Sequence, residues 1–174
     1  RSLKIESAEL KRALKGQILC LKQITEAEGG IMTHIKPHGA LYNDAAKDRF
    51  LANIIIESIL ETDEYLQLFA PPFSVLSEEA EGKLKVVSEA FADRKYNTDL
   101  SLVSREHPHA VMLNREEVLE QVERIITEGR VKTITGDFVS LKAHTICLHG
   151  DHPHAPELAA AIHQLLFLHG STPA

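Results

Sequence analysis

The sequence predicts an α/β fold with a parallel sheet, and three observations carry that prediction. Apolar runs of strand length alternate with amphipathic helical patterns along the 174 residues. Two of the runs close on a histidine and a glycine just before a helical pattern begins, at Lys36-Pro37-His38-Gly39 and at His149-Gly150-Asp151. No linker or low-complexity segment breaks the alternation, so residues 1–174 read as one domain. In parallel α/β folds the strand ends deliver reactive side chains into a shared pocket, which makes both histidine turns candidate site positions.

Each element follows from its own pattern. From Glu6 to Glu28, the residues Leu10, Leu14, Ile18, Leu21 and Ile24 recur at helical spacing, and Gly29-Gly30 stops the helix. Residues 31–36 read as a strand closed by Pro37 and Gly39. Asn43 or Asp44 is the expected cap of a second helix that buries Leu51, Ile54, Ile55 and Ile59. A strand at 66–70 is broken by Pro71-Pro72, a short helix fits 77–80, and a third strand at 84–91 runs into the charged turn 92–96. After a polar loop through His107-Pro108-His109, Asn114 and Glu117 form a capping box. The helix it opens carries Val118, Val122, Ile125 and Ile126 inside and ends at Gly129. Residues 131–134 and 143–149 are the remaining strand candidates, and the last helix buries Leu158, Ile162, Leu165 and Leu166 before Gly170.

Strands joined by helical crossovers fit either an open sheet or a barrel. A β/α barrel takes about 250 residues, so a barrel built on this chain lacks two or three units. The chain opens at Arg1 rather than methionine, which favours units missing ahead of it.

Composition narrows the function classes. A hydrophobic content of 44% and a charged content of 25% are those of an ordinary globular domain. The net charge of −6, with lysines and arginines scattered, gives no footprint for nucleic acid. No apolar run approaches the roughly 20 residues of a membrane span, and no signal peptide is visible. Cys20 and Cys147 lie in apolar patterns outside any C-x-x-C pair and are expected as buried, reduced thiols, which suits a cytoplasmic location.

Several residues could carry chemistry. Lys36 and His38 lie on the same side of an extended backbone, so an ammonium and an imidazole can enter one pocket together. The histidine would serve as general base or metal ligand, and the lysine would stabilise an oxyanion. A solvated lysine beside a strand-end turn fits the same spacing. Asp151 next to His149 would orient that ring, help hold a divalent ion, or simply cap the last helix. Glu89 is a candidate acid/base carboxylate, and Arg94 and Arg105 are candidate clamps for a substrate carboxylate. An ion pair that fixes the loop explains the Glu89–Arg94 run equally well. The His-Pro-His-Ala segments at 107–110 and 152–155 read as exposed loops without a third metal ligand at fixed spacing. Neither a nucleophile elbow, a P-loop nor G-x-G-x-x-G occurs.

Three ordered motifs go further: Lys-Pro-His-Gly-Ala-Leu-Tyr-Asn at 36–43, Glu-Ala-Phe-Ala-Asp-Arg-Lys-Tyr at 89–96, and Ile-Cys-Leu-His-Gly-Asp at 146–151. In order and spacing the chain resembles the LamB/YcsF family from about Leu10 to its last helix. Leu102-Val103-Ser104-Arg105 and Gly129-Arg130-Val131 are similar to two further family segments. The resemblance implies a seven-stranded (β/α) barrel of the glycoside hydrolase/deacetylase type, with its N-terminal β/α units missing from this chain. It implies an ATP-dependent 5-oxoprolinase that opens the lactam 5-oxoproline to glutamate together with subunits B and C. Lys36, His38, Asn43, Glu89, Arg94, Arg105, His149 and Asp151 match the family's strongest motif positions. On that reading Lys36, His38, Glu89, His149 and Asp151 are catalytic, and Asn43, Arg94 and Arg105 bind substrate. ATP is the implied cofactor of the complex and a divalent metal, of unknown identity, is compatible with it.

Some family segments have no counterpart here: an Asp-Leu-Asn-x-Asp-x-Gly-Glu strand, a Cys-Gly-Phe-His-Ala-Gly-Asp segment and an Ala-His-Pro segment. These carry the best candidate metal ligands. Two alternatives therefore stand beside the 5-oxoprolinase reading. One is a metal-dependent deacetylase or amidohydrolase acting without ATP, and the other is a non-catalytic scaffold for the B and C subunits.

Overall fold

The computed structural model describes residues 5–170, which fall into two compact units divided between Ser88 and Glu89. The first unit runs α1 (Ser7–Ala27), β1 (His34–Ile35), α2 (Ala40–Ala45), α3 (Arg49–Leu60), β2 (Gln67–Ala70), α4 (Val75–Ala80) and the start of β3 (Val86–Phe91). β1 and β2 are parallel, with His34 opposite Gln67, and β2 and β3 are parallel, with Leu68 opposite Val86. Residues Leu68 and Ala70 of β2 point inward with full burial, as alternation requires. They meet Ala52, Ile55, Ile56 and Ile59 of α3 and Leu76 of α4 in one apolar cluster.

The second unit contains the end of β3, then α5 (Arg115–Glu128), β4 (Arg130–Lys132), β5 (Phe138–Ser140), β6 (Thr145–Cys147) and α6 (Ala155–Leu168). Glu89 to Phe91 of β3 pair in parallel with Thr145 to Cys147 of β6. Val118 and Val122 of α5 pack with Leu158 and Ile162 of α6 around Ala92 and Met112. Asn114 caps α5 as its spacing predicts, its Oδ1 accepting from the Glu117 N–H at 2.9 Å. Gly129 closes the helix at φ +61°, a left-handed turn that favours glycine.

Several expectations are corrected. Neither Asn43 nor Asp44 caps a helix: the chain turns helical at Ala40, which puts both inside α2. The cap of α3 is Asp48, whose Oδ1 accepts from the N–H groups of Phe50 and Leu51. The candidate strand 131–134 is half of an antiparallel hairpin, β4 with β5, and β5 has no strand signal in the sequence. Asp151 does not cap α6, which begins after His154 with proline in its first turn. Cys20 is exposed on α1 and Cys147 is only half-buried, so neither is the buried thiol that its apolar neighbours suggest.

The largest departure concerns α1. Of its expected inner face, Ile18 is buried, while Leu21 is 53% and Ile24 56% exposed. What ties α1 to α3 and the turn after it includes ion pairs: Lys11 with Glu57 and Glu61, Lys15 with Glu61, and Lys22 with Asp63. Exposed pairs of this kind add little stability each.

The capping assignment is testable. Asp48→Ala should lower stability by about 1 kcal/mol in urea unfolding, with a smaller loss for Asn43→Ala. The reverse order would return the cap to Asn43.

Candidate active site

The second unit's chemistry is built around the end of β3. Glu89 is buried on the strand, opposite Thr145. Past Phe91 the ladder continues for one more bond, from the Ala92 N–H to the Cys147 carbonyl at 2.8 Å. There the backbone turns, and its carbonyls need donors. Gln121, buried on α5, supplies them: its Nε2 donates to the carbonyls of Phe91, Ala92 and Arg94 at 2.9, 3.1 and 3.0 Å. The Phe91 N–H donates to the Tyr96 hydroxyl at 2.7 Å. Burial raises the pKa of that phenol, so it stays neutral.

This turn places Asp93, 1% exposed, against His149 at the end of β6. Nδ1 of His149 lies 2.8 Å from Oδ1 and 3.0 Å from Oδ2 of Asp93. A carboxylate only accepts, so Nδ1 carries a proton, and in the neutral imidazole the lone pair is on Nε2. The Phe91 ring stacks on the imidazole at 5.4 Å between centroids, fixing the ring plane. Among the described residues nothing hydrogen-bonds Nε2, and the His149 side chain is 20% exposed. The arrangement is an imidazole held by a buried carboxylate with its second nitrogen unpartnered among the described residues, a geometry suited to a general base. Asp93, rather than Asp151, is therefore the residue that orients His149.

Asp151 instead meets Arg105, Oδ2 to Nη1 at 3.1 Å, in an exposed pair. The hydrogen bond from Arg105 holds the Asp151 carboxyl below the usual aspartate value. Arg94 is buried and donates from Nη2 to the Val103 carbonyl at 2.6 Å and from Nε to the Ala110 carbonyl at 3.4 Å. Desolvation, and then the nearby Arg105 charge, lower its pKa from the ordinary arginine value. Arg94 thus fixes the loop through backbone carbonyls, and Arg105 is the arginine that reaches solvent.

The two His-Pro-His segments share one local motif. The ring Nδ1 of the first histidine accepts the backbone N–H of the second, at 3.2 Å for His107 and 3.1 Å for His152. His152 is not an exposed loop residue as its prolines suggest. It is buried, and its Nε2 donates to the Met112 carbonyl at 2.9 Å. Among the described residues no three His, Cys, Asp or Glu side chains converge as a metal site.

Lys36, His38 and Asn43 belong to the first unit. Lys36 is half-buried with its Nζ 5.5 Å from the Tyr42 ring centroid, and His38 is exposed. Both border a cavity of the first unit, whose lining also includes Ile35 before them and Pro37 between them. Asn43 donates from Nδ2 to the Gly39 carbonyl at 3.3 Å and holds the turn after His38. Sequence patterns alone assign no role to Asp93, Gln121, Tyr96 or His152. A signal exists for Asp93, which shares strand parity with Glu89 and Phe91.

Known proteins share this chain's pattern and its fold. The LamB/YcsF family pattern matches residues 1–173. The 5-oxoprolinase A subunit of Haemophilus influenzae (strain PittGG) is 41% identical over 162 residues, covering 92% of this chain and 66% of that protein. The 5-oxoprolinase A subunit of Pyrococcus abyssi is 42% identical over 167 residues, covering 95% and 66%. The crystal structure of the lactam utilization protein from Thermus thermophilus superposes with a TM-score of 0.89 at 35% identity, over 98% of this chain and 68% of that one. The chain thus spans about two thirds of the length of the curated relatives it matches, and its α/β fold is that of the lactam utilization protein.

The Arg105–Asp151 pair has a pH signature. A carboxyl with a lowered pKa keeps its ion pair above the ordinary aspartate value and loses it as pH falls through the lowered one. Arg105→Ala should raise the Asp151 pKa toward that of a free aspartate in a carboxyl ¹³C titration. An unchanged titration would show that Arg105 does not hold Asp151.

Proposed function

Because the chain belongs to the LamB/YcsF family, we propose that it supplies the A subunit of a 5-oxoprolinase. With partner subunits B and C it opens the lactam 5-oxoproline to L-glutamate, driven by ATP, in the cytoplasm. The observation that carries this reading is the Asp93–His149 pair, a general acid/base whose Nε2 has no protein partner among the described residues. The relatives' names support the choice of a lactam over other amides.

Amide resonance makes a lactam a poor electrophile, and ATP would supply the activation by phosphorylating the lactam oxygen. In the hydrolytic half, Nε2 of His149 takes a proton from water as the water oxygen bonds to the lactam carbonyl carbon. The carbon–nitrogen bond then breaks as the imidazolium returns its proton to the departing ring nitrogen, and a second water cleaves the carboxyl phosphate so formed into glutamate and inorganic phosphate. Asp93 stabilises the imidazolium formed in between and holds the tautomer that starts the cycle. Glu89 is a second carboxyl for proton transfer at the strand end. Arg105, exposed beside Asp151, binds the substrate carboxylate by exchanging one carboxylate for another. Arg94 supports it by fixing the loop. In the first unit, Lys36 is the proposed oxyanion or phosphate partner, His38 a further acid/base, and Asn43 a substrate-side group through the turn it holds. The described residues do not form a metal site, and no step here runs through a divalent ion.

The reaction is tested with the chain reconstituted with subunits B and C. Glutamate should be released from 5-oxoproline only when ATP and both partners are present. Release by the chain alone without ATP would replace this reading with that of a simple amidohydrolase. Undiminished release by subunits B and C without this chain would deny it a catalytic part. His149→Ala should lower kcat by about 10²–10⁴-fold, the range of general acid–base catalysis, with an unchanged circular dichroism spectrum. His38→Ala should abolish turnover with the fold intact, and full activity in that variant would remove His38 from the site.

A further inference from the structure

A polar side chain lies in the apolar stripe of α5. Val118, Val122 and Ile125 are buried at helical spacing, and Gln121 is buried among them at 3% exposure. An amide at such a position costs free energy unless its hydrogen bonds are made. Gln121 makes three, to the carbonyls of Phe91, Ala92 and Arg94. Its Nε2 carries two protons, so at least one of them is shared between two carbonyls.

Those three acceptors bracket Asp93. The Asp93 carbonyl itself accepts from the Met112 N–H at 2.9 Å, and that of Lys95 from the Val103 N–H at 3.0 Å. Every carbonyl from 91 to 95 therefore has a donor, and Gln121 is the side chain among those donors. Water cannot replace it without opening the turn, because Phe91, Ala92, Asp93 and Arg94 are 4%, 0%, 1% and 5% exposed. One turn earlier on the same helix face, Glu117 pairs with Lys95, so α5 grips the segment at two points.

We propose that Gln121 is a positioning residue for His149. By fixing the backbone on both sides of Asp93, it sets where the Asp93 carboxylate meets Nδ1, and through that contact the tautomer of the ring. Without the amide, three buried carbonyls lose their donor and the turn relaxes toward other partners. Asp93 then leaves Nδ1, while His149 keeps its place at the end of β6. The effect of Gln121 on turnover rests on the acid/base role proposed for His149, whereas its effect on the ring does not.

The test uses the 174-residue chain with Gln121→Met, a side chain of similar length without donors. Ile125→Ala is the control, since it removes packing from the same helix and no donor. Nitrogen-15 spectra of ring-labelled protein, taken where the ring is neutral, should show His149 protonated on Nδ1 in the native chain and in Ile125→Ala. Gln121→Met should give a mixture of tautomers. Reconstituted with subunits B and C, Gln121→Met should lower kcat by about 10²-fold, the cost of a small misplacement, with KM for 5-oxoproline little changed. A folded Gln121→Met chain with the native His149 signature would overturn the proposal. So would an equal loss of that signature in Ile125→Ala, since general loosening would then account for both. If Gln121→Met does not fold, the native chain is followed in urea below its unfolding transition. There the Gln121 side-chain amide and the His149 Nδ1–H should lose protection from exchange together, and loss at His149 with Gln121 still protected would overturn the proposal. A native complex that releases no glutamate removes the enzyme reading, and the nitrogen-15 comparison still decides the role of Gln121.

Discussion

The hydrogen bonds from Gln121 to the end of β3 are the constraint on which the second unit's site depends. A parallel strand that ends in the interior leaves carbonyls without ladder partners, and each one unmet costs about 1–3 kcal/mol. One amide on α5 meets those of Phe91, Ala92 and Arg94. The strand end is thereby tied to the helix that covers it. Asp93, within that tied segment, is delivered to His149 rather than to solvent. Further bonds brace the same turn, from the Met112 N–H to the Asp93 carbonyl and from the Lys95 N–H to the Ala110 carbonyl. Phe91 serves twice, as a ladder residue opposite Cys147 and as the ring stacked on His149.

An imidazole held this way is oriented in advance of any ligand. Stacking fixes the ring plane, the carboxylate fixes the tautomer, and the remaining nitrogen is left without a protein partner among the described residues. Burial of Asp93 makes its attraction for an imidazolium larger than it would be in water. The exposed Arg105–Asp151 pair has the opposite character. Screening makes it weak, and a weak pair exchanges partners readily.

The sequence makes part of this legible, and the reasons differ by residue. Asn114 with Glu117 announces α5 because the Asn114 cap is closed by a local bond, from the Glu117 N–H, while the Glu117 carboxylate pairs with Lys95 instead of completing a capping box. The histidine turns at His38 and His149 are legible because strand, glycine and helix follow one another directly. The cap at Asp48 is hidden by Asn43 and Asp44, which offer the same side-chain chemistry a few residues earlier. β5 is hidden because Phe138 and Ser140 are exposed, so the strand has no apolar face to announce it. Asp93 and His149 are 56 residues apart, and no local pattern encodes that pairing. The apolar stripe of α1 is legible as a stripe, but its Leu21 and Ile24 remain exposed.

Asp93 holds a proton on Nδ1 of His149, which in the neutral ring leaves the lone pair on Nε2, and the base role proposed for His149 depends on that tautomer. Nitrogen-15 shifts of His149 in ring-labelled protein, followed across a pH series, test it most directly. Where the ring is neutral, a protonated Nδ1 and an unprotonated Nε2 are expected in the native chain, with loss of that tautomer preference in Asp93→Ala while other histidines stay unchanged. A native His149 protonated on Nε2, or averaging between tautomers as a free imidazole does, would contradict it.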